Sequence, residues 1–165
     1  MDRVAFREDR GGDTSTTARE KPGLIDRLKL RDAQTVRTVS LIALVFATVL
    51  ATQGAIVRAT GSGLGCPDWP LCHGSLTPPP DNVKAIIEYT HRILATIGGL
   101  MILSTAILTL VNKQTSASLR TASIALILLL VVQILLGAAA VLQELPAWIV
   151  TAHLVSATTL IGLLT

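Results

Sequence analysis

"TASIALILLLVVQILLGAAAVLQ", Thr121–Gln143, is a run of 23 residues without a single charge. As a helix rising 1.5 Å per residue it reaches about 34 Å, enough to cross a hydrocarbon core of about 30 Å. Backbone groups in lipid find no water, so such a segment has to satisfy them internally as a helix. A buried helix of a soluble protein rarely runs so far without a charge. Three further runs share the property: Thr38–Val57 and Ile93–Asn112 with 20 residues each, and Leu145–Thr165 with 21. All are rich in Leu, Ile, Val and Ala. The expected fold is an all-α membrane protein, a four-transmembrane-helix bundle with helices at about 36–57, 83–112, 120–143 and 147–165.

Composition agrees. Half of the 165 residues are apolar and the net charge is +3, with a mean hydropathy of +0.59. Nine of the 14 basic and seven of the 11 acidic residues lie in the first 37 positions. Residues 1–34 read as a cytoplasmic tail, disordered over Met1–Lys21 because its mixed charges, Gly, Ser and Thr cannot bury a core. Its acids argue against a mitochondrial transit peptide and for a bacterial protein. "PGLIDRLKLRDAQTVR" then fits either a short interfacial helix or a helical lead-in to the first span. Nucleic-acid binding has no support, since the basic residues flank spans and are matched by acids. "GSGLG" has no strand before it and is no phosphate loop.

Flanking charges orient the bundle. The first 37 residues have nine Lys/Arg, and "NKQTSASLR" has Lys113 and Arg120 with no acid. By the positive-inside rule these face the cytoplasm. The loop after the first span and the "ELPAW" turn then face outward, in a multi-pass protein of the bacterial plasma membrane.

That outer loop reads "RATGSGLGCPDWPLCHGS", Arg58–Ser75, and holds both cysteines of the chain, Cys66 and Cys72, with five residues between them. The outer side is oxidising. Three readings stay open: a structural disulfide contributing about 2 kcal/mol on a chain-entropy argument, a redox-active thiol pair, and metal binding by Cys66, Cys72 and His73. The spacing is neither CxxC nor CxxCH.

"IEYTHRILATIGG" carries the second signal. Glu88 and His91 are three residues apart and share a helix face, which Ala95 and Gly98 continue, leaving room for a flat group against the backbone. "AWIVTAHLVSATT" places His153 near the outer end of the last span, at the depth of His91. Ionisable groups inside a membrane protein mark function. Two imidazoles across a bundle suit the iron of a b-type haem, with packing as the alternative. Arg58 and Arg92 at the rim can take propionates or snorkel to headgroups. Glu88 is either a catalytic carboxylate or a rim charge for Arg92 or Lys84. Gln53 and Gln133 fit interhelical hydrogen bonds better than a ligand role.

"GAIVRATGSGLGCPDWPLCHG", "IEYTHRILATIGG" and "LQELPAWIVTAHL" together resemble the haem A synthase family, over roughly Gln34–Thr165. The resemblance is to the N-terminal half of an eight-span protein built of two similar four-helix halves. It implies an oxidoreductase that turns a methyl group of haem O into the formyl group of haem A for cytochrome c oxidase. It implies residues 35–165 as a haem-binding domain with His91 and His153 as iron ligands, Glu88 as the functional carboxylate, and Cys66–Cys72 as a disulfide. Haem b is the implied cofactor and haem O the substrate. The implied partners are the bilayer, haem O synthase and oxidase assembly. The chain ends at "TTLIGLLT", before the second half of the family pattern. It therefore reads as a fragment lacking that half, or as a half-size form that pairs with itself. Three other functions compete: a bis-histidine b-type cytochrome for electron transfer, a membrane thiol–disulfide oxidoreductase, and a non-enzymatic assembly subunit for an oxidase.

Overall fold

A computed structural model describes residues 24–113 and 115–165, with side chains from residue 33 onward. The expected disordered tail, Met1–Lys21, lies outside the described residues. Among them the chain is all-helical: α1 (Leu24–Ala59), α2 (Val83–Val111), α3 (Ala117–Leu142) and α4 (Ala147–Leu163). No strand occurs among the described residues, only an isolated bridge between Cys72 and Ser75.

The ends of the helices follow from local chemistry. Asn82 opens α2, its side chain accepting the Ala85 N–H at 3.1 Å. Ser116 does the same for α3 through Leu119 at 3.3 Å, which starts that helix before the charge-free run. α1 begins well ahead of the expected position, because the basic segment and the span form one unbroken helix from Leu24. Whether its side chains make an interfacial face lies outside the described residues. α4 starts at Ala147: Glu144 and Leu145 hold left-handed backbones at φ 58° and 62°, and Pro146 takes the cap position. The charge-free run from Leu145 thus gives its first two residues to the turn.

Ala33–Ala59, Val83–Val111 and Ala117–Leu142 are long and apolar enough to cross a membrane. α4 is a shorter apolar helix of 17 residues. Large apolar side chains such as Leu41, Val45, Leu100, Leu128, Leu135 and Leu154 point outward from all four, the pattern of a lipid-facing surface. Exposed hydroxyls on these faces are silenced within their own helix: Thr48, Thr96, Ser104 and Thr151 each donate to the carbonyl four residues back, at 2.7–2.9 Å. A polar group in lipid needs such an internal partner.

α1 packs along α2, α2 along α3 and α3 along α4, while α1 and α4 meet over a short stretch. α2 and α4 thus occupy opposite corners of the bundle. Ala43 and Ala47, Ile102 and Ala106, Leu126 and Leu130, and Leu160 and Leu164 fill the core at the end away from the cysteine loop. The other end is built from polar groups. There the two connecting loops touch, for a Cβ on Gly63 would lie 2.9 Å from the side chain of Leu145.

Candidate functional site: a histidine layer beneath a disulfide-closed loop

Cys66 and Cys72 form a disulfide with Cα atoms 4.5 Å apart. Both are fully buried, beside Ala85 and Tyr89 of α2. The loop lies directly on the first turn of α2. A Cβ at position 65 would stand 2.3 Å from the Lys84 carbonyl oxygen, so only glycine permits that approach. The pairing settles the cysteines as a disulfide and leaves no thiolate for a metal. Complete burial of both sulfurs also denies the attacking thiolate that exchange requires, against the thiol–disulfide oxidoreductase reading.

Arg92 ties the loop down. Its Nη1 donates to the carbonyls of Asp68 and Leu71 at 2.8 and 2.7 Å, and its Nη2 to that of Cys66 at 2.7 Å and to the Glu88 carboxylate. Glu88 is buried, and its second oxygen accepts the Cys66 N–H at 2.9 Å. Asp68 closes the far side, accepting the N–H groups of His73 and Gly74 at 2.6 and 2.7 Å. The Gly74 amide, above all, holds its carboxyl below the ordinary carboxylate range. His73, a candidate metal ligand by its sequence, sits at φ 53° and hydrogen-bonds the Gly65 carbonyl through Nε2 at 2.8 Å.

One turn deeper the chemistry changes. His91 lies eight residues into α2 and His153 six into α4, about 12 and 9 Å from the helix starts. They share one end of the bundle on diagonal helices. Each imidazole rests on a glycine of the preceding helix: a Cβ on Gly54 of α1 would meet His91 Cε1 at 3.2 Å, and one on Gly137 of α3 would meet His153 Cε1 at 3.2 Å. Among the described residues, the buried Nδ1 atoms of both rings, and Oε1 of Gln53, have no hydrogen-bond partner. Gln53 donates to the Ile87 carbonyl of α2 at 3.1 Å, and Gln133 of α3 reaches His153 Nε2 at 3.1 Å. Both glutamines are thus interhelical, as expected.

The sequence-predicted residues separate into two groups. Glu88, Arg92, Cys66 and Cys72 meet in the loop cluster, while His91 and His153 form the layer below. Glu88 and His91 share a helix but serve different neighbours. Arg58 is exposed at the end of α1 and makes no hydrogen bond or ion pair among the described residues. The space expected beside Gly98 is taken by Phe46 and Leu50 of α1, so a flat group is not accommodated there. Gly54, Gly137, Asp68 and Ser156 are participants that the sequence did not single out. For Asp68 a signal existed, an acid five residues before a His-Gly pair inside a loop.

The profile of the cytochrome oxidase assembly protein family COX15-CtaA matches residues 37–165. The chain belongs to this family. It is similar to proteins named heme A synthase: 37% identical over 107 residues to that of Alkalihalophilus pseudofirmus, 64% of this chain and 36% of the relative. For Bacillus licheniformis the figures are 35% over 116 residues, 70% of this chain and 37% of the relative. For an Exiguobacterium species they are 35% over 102 residues, 61% and 34%. The chain spans little more than a third of the length of these relatives. Family membership and the apolar helices together make it a multi-pass membrane protein.

Proposed function

We propose that this chain provides a haem-holding half of a haem A synthase, an oxidoreductase that converts a methyl group of haem O into the formyl group of haem A for cytochrome c oxidase. The observation that carries the reading is the histidine pair: two imidazoles at one level on diagonal helices, in a member of a family whose similar proteins are named heme A synthase.

The residues fit a haem. Gly54 and Gly137 are the places where a Cβ would crowd the rings, and the unpartnered Nδ1 atoms mark a layer whose polar groups the fold alone does not satisfy. His91 and His153 are the assigned iron ligands, for haem b as cofactor or haem O as substrate. The haem supplies the redox chemistry when bound, and the protein supplies position and polarity. Glu88 is the proposed catalytic carboxylate. Arg92 and the Cys66 N–H hold it in place, one turn above His91, where it can stabilise developing positive charge or manage the proton of an incoming water. Arg58, without a hydrogen bond or ion pair among the described residues, can offer its donors to a propionate. Arg92 can offer one only beyond the four hydrogen bonds it makes to the loop and Glu88. The disulfide-closed loop covers this end and keeps bulk water from it.

The charge bias of the flanks supports a cytoplasmic tail and an outward-facing cysteine loop in a bacterial plasma membrane. Haem O synthase and the oxidase-assembly machinery are the proposed partners, with a C-terminal half or a second copy completing the two-half arrangement.

The test is pigment analysis of membranes that produce haem O, with and without the chain. Formation of haem A with the wild type, loss of bound haem in His91→Ala and His153→Ala, and haem bound but unconverted in Glu88→Gln would bear out this division of roles. Bound haem b with no conversion in the wild type would leave a b-type cytochrome instead. No haem at all would overturn the site.

A further inference from the structure

The two histidines are not held alike. His91 makes no hydrogen bond through either ring nitrogen among the described residues. The neighbouring Gln53 turns its Nε2 to a backbone carbonyl instead. His153 has a built partner. The amide nitrogen of Gln133 lies 3.1 Å from its Nε2, and the other end of that amide, Oε1, accepts the hydroxyl proton of Ser156. Ser156 is buried on α4, three residues past His153, and also lies 3.2 Å from the His153 carbonyl. With Ser156 donating to Oε1, the amide turns its N–H groups toward the ring. An amide N–H can only donate. His153 Nε2 must then carry a lone pair, and the proton sits on Nδ1.

That lone pair is the one an iron would take. We propose that Gln133, oriented by Ser156, is a positioning residue that fixes His153 as the Nδ1–H tautomer and competes with haem iron for Nε2. His153 is then the releasable ligand of the pair and His91 the fixed one. The idea rests on the haem reading above. Its chemical sense is that haem held as a substrate has to leave as product. A vacated imidazole nitrogen in a low-dielectric bundle would otherwise be an unpartnered polar atom, at a cost. The Gln133 amide gives it a partner at once, so release is easier on the α4 side. Second-shell groups on ligating histidines commonly set tautomer and basicity through the other ring nitrogen. Here the amide acts on the ligating nitrogen itself.

The experiment is a titration of the whole chain in lipid nanodiscs with haem b, followed by its Soret band, together with nitrogen NMR of the histidine rings before haem is added. Gln133→Leu should bind haem about fivefold more tightly, the factor expected for removing one competing neutral hydrogen bond. Ser156→Ala, which keeps the amide but frees its orientation, should show a smaller gain of the same sign. It carries the test if Gln133→Leu does not fold. In the wild type the His153 signals should show a protonated Nδ1, and in Gln133→Leu a mixture of tautomers. A glutamine that merely braces the helices would give weaker haem binding in both variants, which overturns the proposal. So does a protonated Nε2 in the wild type. Tight wild-type binding with no gain in either variant sinks the role of Gln133 alone, whereas a wild type that binds no haem sinks the haem reading with it.

Discussion

The loop cluster and the histidine layer are neighbours on α2, one turn apart, and they treat polar atoms in opposite ways. Above, both oxygens of Glu88, both of Asp68 and both terminal nitrogens of Arg92 have partners. Below, His91 Nδ1, His153 Nδ1 and Gln53 Oε1 are buried with none among the described residues. Buried polar groups in folded proteins are nearly always hydrogen-bonded, so a concentration of orphans calls for an explanation. The loop cluster is a framework whose polar atoms the fold itself satisfies, and it holds Glu88, the proposed catalytic carboxylate, at its lower edge. The histidine layer is left open by the fold, as the proposed haem site requires. Residues that a motif puts side by side can therefore differ in how far the fold alone satisfies them.

The largest effect should come from breaking the complete cluster. Arg92→Met removes four hydrogen bonds and leaves the Glu88 carboxylate buried without its counter-charge. Breaking a buried ion pair from one side costs about 3–5 kcal/mol. A fall of that size in unfolding free energy, read from denaturation in detergent, is the expected outcome. His91→Ala, in a layer whose polar atoms the fold does not use, should cost clearly less. Equal losses in the two variants would erase the distinction between cluster and layer.

Glycine substitutions sharpen the same contrast at close range. In Gly65→Ala the new methyl would stand 2.3 Å from a carbonyl oxygen of α2. Backbone cannot yield there without lifting the loop, so folding should fail or the loop should become protease-sensitive. In Gly54→Ala and Gly137→Ala the methyl meets an imidazole at 3.2 Å, and a ring can shift by a few tenths of an ångström. Those two should cost about 1–3 kcal/mol as overpacking, while changing the Soret band of added haem more than they change stability. An unaltered spectrum with intact binding would show that the rings do not meet the haem.

Much of this architecture is legible in the sequence, for a simple reason. A charge-free run of Leu, Ile, Val and Ala long enough for a bilayer has few other uses, and the polar loops between such runs mark where helices end. The two histidines also stand out, since a lone imidazole in an apolar helix is conspicuous. The loop cluster was harder to see because three of the four groups that Arg92 contacts are backbone carbonyls, and a carbonyl has no letter in the sequence. Glycines posed a related difficulty. Gly98 looked like room for a ligand, yet Phe46 fills it, while Gly54 and Gly137 face the rings. Nothing in a glycine says which neighbour will use its space. α1 illustrates a third limit, because charge marks where a span begins but not where a helix does.

The smallest effect belongs to Asp68, at the rim of the complete cluster. The Gly74 N–H favours the ionised carboxylate and lowers its pKa in the fold. A depressed carboxyl contributes stability that is present above its unfolded value, near 3.9, and is lost as the pH falls through its lower folded value. Wild type and Asp68→Asn should therefore run parallel from neutral pH down to about pH 5, the variant lower by a constant margin. Below about pH 4 the wild type should fall toward the variant as its carboxylate takes up a proton. Water reaches this carboxylate, so screening keeps the effect slight. Thermal unfolding across that pH range is the measurement. Convergence at low pH would assign Asp68 to the charged scaffold. Two curves that stay parallel through pH 3 would reduce the His73–Gly74 turn to backbone preference, and the satisfied cluster would then stop at Arg92.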